Sequence, residues 1–262
     1  SKSIGVDVFP VDIGIYRDMD HALGEGEKIM PFRILNRKIA YGTDNMLKGP
    51  AMSRGNAIKA IETGVNLVCN MKNSGYNIIA TGEMGIGNTT TSSAIASVLL
   101  NKPVEEVTGK GAGLTLKGLE RKINVIKQSI KLNSPNLNDP IDVLSKVGGY
   151  DIAGLVGVFI GGAVYNIPIV IDGFISAVAA LVASRIEPKT IEYMLPSHVS
   201  KEPAGKIILD ALDLKPLITC EMCLGEGSGA VALLPILDMA CNVYNKMSSF
   251  NDIGIDEYKP LS

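Results

Sequence analysis

Tyr76-Asn77-Ile78-Ile79-Ala80-Thr81-Gly82-Glu83-Met84-Gly85-Ile86-Gly87-Asn88-Thr89-Thr90 is the stretch that decides the architecture of this chain. Tyr76 to Thr81 is a short apolar run of the length and composition of a buried parallel strand. Gly82 ends it and opens a glycine-rich loop to Gly87. Asn88 to Ser93 then lead into an Ala-rich helix that runs through about Leu100. Closely spaced glycines let backbone N–H groups approach an anion, and a helix N-terminus adds unpaired donors and partial positive charge. Thr and Ser hydroxyls there can donate further bonds to phosphate oxygens. The loop is neither G-x-x-x-x-G-K-[ST], since no Lys precedes the first threonine, nor G-x-G-x-x-G. A glycine-rich turn shaped only for packing is the competing reading.

Working outward, Val6 to Ile15 reads as a strand and is followed by a polar loop containing Gly24, Gly26 and Pro31. Ser53 is a suitable N-cap for a helix over Arg54 to Asn73, which Gly75 ends. Helices are expected at Leu114 to Leu132, Asp142 to Val147 and Asp151 to Tyr165, the last of them glycine-rich. The strand Ile167 to Ile171 leads through Asp172-Gly173-Phe174 into an Ala-rich helix to Ser184. A strand at Glu192 to Leu195 ends at Ser197-His198, and helices follow over Pro203 to Leu212 and Gly229 to Met247. Strands alternating with helices predict a single α/β domain over 1–262 with a mainly parallel sheet and a smaller helical region. Ligands of such sheets bind at the carboxyl ends of the strands.

Composition removes several function classes. With 262 residues, 46% hydrophobic, 20% charged and a net charge of -2, the chain has the make-up of a globular protein with a substantial core. No basic face suggests nucleic acid. The most apolar stretch, Ile152 to Val170, is broken by Gly154, Gly157, Gly161, Gly162, Asn166 and Pro168, so no membrane span is expected. Cys220 and Cys223 form a single C-x-x-C, but with only His21 and His198 in the chain a zinc site is disfavoured, and Cys69, Cys220, Cys223 and Cys241 read as packing thiols of a cytoplasmic protein. Ser1-Lys2-Ser3 carries neither an initiator Met nor a signal peptide, so the natural start is expected elsewhere.

A second glycine-rich segment, Leu224-Gly225-Glu226-Gly227-Ser228-Gly229-Ala230, holds a carboxylate at the start of a helix. Glu226 is open to three readings: general base, ligand of a ribose hydroxyl, or N-terminal cap. Lys122, after the loop Thr108 to Gly113, is either a solvated charge or a point charge closing a phosphate site. Ser197-His198 lacks a nucleophile elbow, which argues against a hydrolase triad.

Thr81 to Thr90 (TGEMGIGNTT) and Leu224 to Ala230 (LGEGSGA) resemble the signature loops of the nicotinate-nucleotide:dimethylbenzimidazole phosphoribosyltransferases. Asn36 to Thr43, Gly49-Pro50-Ala51-Met52, Asp172 to Ser176, Ser197 to Ser200 with Glu202, and Asp256 to Leu261 extend the resemblance over nearly the whole chain. It implies a doubly wound α/β fold with helices on both faces of the sheet. It also implies a homodimer or pseudo-symmetric heterodimer, small-molecule substrates, and neither cofactor nor metal. The implied reaction moves phosphoribose from nicotinate mononucleotide to an aromatic base. Gly85, Ile86, Gly87, Asn88, Thr89, Thr90 and Lys122 then match the phosphate and ribose site. Glu226 matches the general base and Glu83 a second acid beside the ribose, while Met84, Ser200 and Leu224 match acceptor positions. The chain departs from the pattern at Cys223, where the family often has Arg, and at Ala112, where it often has Thr. It is also expected to lack an N-terminal portion that supplies acceptor contacts. Benzimidazoles, adenine and phenols all stay open as acceptors. Two other readings are a non-catalytic partner subunit of a phenol-directed heteromer and an unrelated phosphate-ester binder; the lack of an Mg²⁺-holding motif disfavours the last.

Overall fold

The computed structural model describes residues 2–18, 34–222, 224–250 and 252–256. His21, the loop with Gly24, Gly26 and Pro31, Cys223 and the terminal run from Glu257 lie outside them. In chain order the elements are β1 (Val11–Asp12), β2 (Leu35–Asn36), α1 (Arg54–Asn73), β3 (Ile79–Ala80), α2 (Asn88–Leu99), α3 (Val104–Val107), α4 (Leu116–Asn133), α5 (Pro140–Val147) and α6 (Tyr150–Tyr165). They continue with β4 (Ile169–Ile171), α7 (Gly173–Ile186), β5 (Met194–Pro196), α8 (Ala204–Ala211) and α9 (Ser228–Lys246). The parallel sheet β3-β4-β5 pairs Ile79 with Ile169 and Val170 with Leu195, and β1 pairs with β2 in a separate parallel ribbon. The fold is α/β, as expected.

All four strands expected from the sequence are shorter in the structure, Ile167 to Ile171 being cut to Ile169–Ile171. Of Val6 to Ile15, only Val11–Asp12 pairs, because Pro10 has no N–H to give a ladder and Val8, Phe9 and Ile15 stay exposed. Of Tyr76 to Thr81, only Ile79–Ala80 is in the ladder, since Tyr76 still bonds back to the end of α1 through Met71 O at 3.1 Å. In place of Glu192–Leu195, a 3-10 turn occupies Pro188–Tyr193 and the strand shifts to Met194–Pro196.

Helices supply most of the core. The α7 helix is buried on every side from Ser176 to Ser184, as a helix apolar all round must be. α1 begins where expected: Ser53 Oγ accepts the Asn56 N–H at 3.1 Å, and Gly75, at φ +91, follows the Ser74 cap. The glycines of α6 are explained by α1, which crosses it at backbone contact. A Cβ on Gly157 would overlap the Ile61 carbonyl, and one on Gly64 would overlap the Gly154 carbonyl. Gly157→Ala is therefore expected to lose about 2–4 kcal/mol of stability despite its better helix propensity, read as a fall in urea midpoint at unchanged m-value. An unchanged midpoint would mean the two helices separate without cost.

Candidate active site

The carboxyl ends of the three parallel strands converge. Thr81, after β3, donates from Oγ1 to Val170 O at 2.7 Å and hydrogen-bonds Ser176 Oγ at 2.6 Å. Ser197, after β5, donates from Oγ to Ile171 O at 2.6 Å. Asp172, after β4, is buried and accepts from the N–H groups of Gly227 (3.0 Å), Gly229 (2.9 Å) and Ala230 (3.1 Å). One strand-end carboxylate thus holds the start of α9, where unpaired amides favour negative charge. The buried His198 ring, bonded to Ser197 Oγ at 2.9 Å, fills the space beside Gly229 that any side chain there would need.

The two glycine-rich loops are in direct contact. A Cβ on Gly82 would lie 3.1 Å from the Glu226 carbonyl carbon and from Gly227 Cα and N. The second loop carries three successive left-handed residues, Gly225 (φ 77), Glu226 (φ 58) and Gly227 (φ 83). Glycine adopts that conformation freely, whereas Glu226 costs about 1 kcal/mol there. Strain of this kind concentrates at functional positions, and the Glu226 residue is exposed at the junction of the loops.

α2 and α9 begin with the same backbone device. Gly87 (φ 83, ψ 0) and Gly227 (φ 83, ψ 2) are left-handed N-caps without a side-chain bond. At α9 the Asp172 carboxylate takes the amides. At α2 the first turn gathers hydroxyls, the Asp151 carboxylate on Asn88 and a cation: Lys122 reaches in from α4, donating to Thr89 Oγ1 at 3.0 Å and to Gly109 O at 2.9 Å. Lys122 is buried, not the solvated charge a lone lysine usually is. Burial pushes its ammonium below the ordinary lysine value, and the nearby Glu202 opposes that shift. Glu202 Oε1 in turn accepts the Gly111 N–H at 2.9 Å, while Oε2 is buried without a partner among the described residues.

The other sequence-selected residues flank this centre. Gly85 and Ile86 are exposed in the first loop, Asn88 is buried, and Thr90 bonds through its N–H to Gly87 O at 3.0 Å. Met84 and Leu224 are each largely exposed, two residues from the loop–loop contact. Ser200 sits on another flank, just before α8, where its Oγ accepts the Glu202 N–H at 3.3 Å. Three residues that touch this machinery went without a role in the sequence: Asp151, Asp172 and Glu202. The available signals were an acid in the first turn of α6, an acid just past a strand, and an acid after Ser200.

Glu83 has an unusual environment. Its carboxyl accepts the Gly85 N–H and faces Asp151, whose Oδ2 accepts from Asn88 Nδ2 at 3.2 Å. Burial, then the Asp151 charge, raise Glu83 from 4.5 to about 7. Such a group favours folding fully below its unfolded value of 4.5, and that contribution is lost as pH rises through about 7. Glu83→Gln should therefore flatten this dependence and be about 1–2 kcal/mol more stable than wild type on the alkaline side, after allowance for solvent screening. Urea denaturation across that window checks it; parallel curves for the two proteins would contradict it.

Comparison with known proteins gives the family. Residues 1–255 match the family model described as Phosphoribosyltransferase. The chain is 52% identical over 261 residues to the nicotinate-nucleotide–dimethylbenzimidazole phosphoribosyltransferase of Ruminiclostridium cellulolyticum, covering 100% of this chain and 71% of that one. It is 51% identical to the enzyme of the same name from Clostridium acetobutylicum, again covering 100% and 71%. The crystal structure of CobT from Thermus thermophilus superposes with a TM-score of 0.85 at 32% identity, covering 95% of this chain and 72% of that one. No helix among the described residues is long and apolar enough to cross a membrane.

Proposed function

The chain belongs to the nicotinate-nucleotide–dimethylbenzimidazole phosphoribosyltransferase family, and from that premise we propose that it transfers phosphoribose from nicotinate mononucleotide to a dimethylbenzimidazole-type base, giving an α-riboside 5′-phosphate and nicotinate for cobamide lower-ligand assembly. The observation that carries this reading is the contact of the two glycine loops, with a left-handed, exposed Glu226 on one and the open start of α2 on the other.

In this reading the 5′-phosphate meets the first amides of α2, the Thr89 and Thr90 hydroxyls and Lys122. Nicotinate leaves as a neutral pyridine from a pyridinium, taking the electron pair of the C1′–N bond, so its departure needs neither acid nor metal. Negative charge at Glu83 and Glu226 stabilises the cationic ribose. The acceptor nitrogen attacks the opposite face and inverts C1′ from β to α. Its other N–H proton passes to the Glu226 carboxylate. Met84, Leu224 and Ser200 border the acceptor side. Cytoplasmic location and a homodimer or paired heteromer belong to the same proposal. Retention of Glu83, Lys122 and Glu226 weighs against a non-catalytic partner subunit, which has no chemical need of all three.

Purified protein given nicotinate mononucleotide and a panel of benzimidazoles, adenine and phenols tests the proposal, with products resolved by mass. We expect an α-riboside 5′-phosphate with at least one benzimidazole. No such product across the panel would favour the partner-subunit reading.

A further inference from the structure

Gly85 marks a point in space on which three side chains converge. A Cβ built there would lie 2.5 Å from Asp151 Oδ2, 2.6 Å from Glu83 Oε1 and 2.8 Å from Asn88 Nδ2. Two carboxyl oxygens are therefore brought together across a residue with no side chain to part them, beside the start of α2. Neither carboxyl is loose. Asp151 is fixed at the head of α6 through its Oδ1, which accepts the Ile152 N–H at 2.8 Å, and through Asn88. Glu83 is fixed by the Gly85 N–H. The other charged groups that approach are Lys122, held at Thr89 in the first turn of α2, and Glu226, whose backbone touches Gly82. Asp151 has no part in the transfer as described above.

We propose that Asp151 is a positioning residue which shares one proton with Glu83, so that a single negative charge, not two, stands beside the bound ribose phosphate. The proposal rests on the functional reading above and deepens it. Two carboxyls that converge on one point in this way cannot both ionise cheaply, because like charges so close repel strongly in a partly dry site. Burial is the first cause of the raised value of Glu83, and the Asp151 carboxyl adds to it, as sharing requires. One charge is enough to steady the cationic ribose. A second would oppose binding of the doubly charged donor phosphate a few residues away. The dyad thus gives electrostatic support to the transition state while limiting repulsion of the ground state. Asn88 fixes the geometry, since its amide donates to Asp151 while its own backbone opens the phosphate-binding turn.

Calorimetric titration of nicotinate mononucleotide against pH, in wild type and Asp151→Asn, tests this without needing turnover. In wild type the affinity should fall roughly tenfold as pH rises through the loss of the shared proton. In Asp151→Asn, where burial alone still raises Glu83, that fall should shrink and move to lower pH, while the phosphate's own titration affects both proteins alike. Superimposable affinity profiles would overturn the proposal. Should Asp151→Asn not fold, carboxyl infrared bands of wild type minus Glu83→Gln decide. A Glu83 carboxyl that titrates near neutrality in step with a change at a second carboxyl supports sharing, and one that titrates alone, or finishes in the ordinary carboxylate range, overturns it. Wild type that binds no nicotinate mononucleotide at any pH would instead sink the functional reading, and the infrared titration would still judge the dyad.

Discussion

Glu226→Gln is expected to lower kcat by about 100- to 10,000-fold while leaving KM for nicotinate mononucleotide little changed. Glutamine keeps the size of the side chain and tolerates the left-handed backbone of residue 226 (φ 58) as glutamate does, so the loop should hold its contact with Gly82. What is lost is the ability to take the acceptor's proton. Residual turnover is expected because the phosphate site and the good leaving group remain. Steady-state kinetics with separated products reads both constants. Wild-type kcat would remove Glu226 from the chemistry. A large rise in KM with kcat intact would make it a ribose ligand instead.

Asp172→Ala should produce the largest structural loss. The buried carboxylate satisfies three backbone amides at the start of α9, and each bond is charge-assisted. Removing it leaves those donors buried without partners and uncouples α9 from the end of β4. We expect about 3–5 kcal/mol of destabilisation. Turnover should also fall sharply even where the protein stays folded, since Gly227 would no longer be pressed against Gly82. Urea unfolding measured beside kcat at a temperature where the variant is still native separates the two effects. A stable variant with wild-type kcat would show that the loop contact is maintained by other means.

The helices were legible because their signals are local. Ser53 followed by an apolar periodicity and closed by Gly75 marks α1 from end to end. Strands were less legible because a strand is defined by its partner. Val6 to Ile15 alternates well, yet only Val11 and Asp12 find one. Both glycine loops stood out, since nothing about core packing calls for a carboxylate between glycines. Their contact did not, because it depends on how far β3 and the start of α9 come together in space. Lys122 by itself left two readings open, a solvated charge or a point charge closing a phosphate site, and it is buried against Thr89. Asp151 and Asp172 looked like ordinary acids at the starts of helices. What sets them apart is the company they keep, Glu83 for one and the amides of a distant helix for the other.

A structure with nicotinate mononucleotide bound is the most direct measurement. The 5′-phosphate should rest on the amides that open α2, within hydrogen-bonding reach of Thr89 and Lys122, with the anomeric carbon turned towards the Glu226 carboxylate. A phosphate held elsewhere, or a Glu226 side chain directed away from the ribose, would contradict the account.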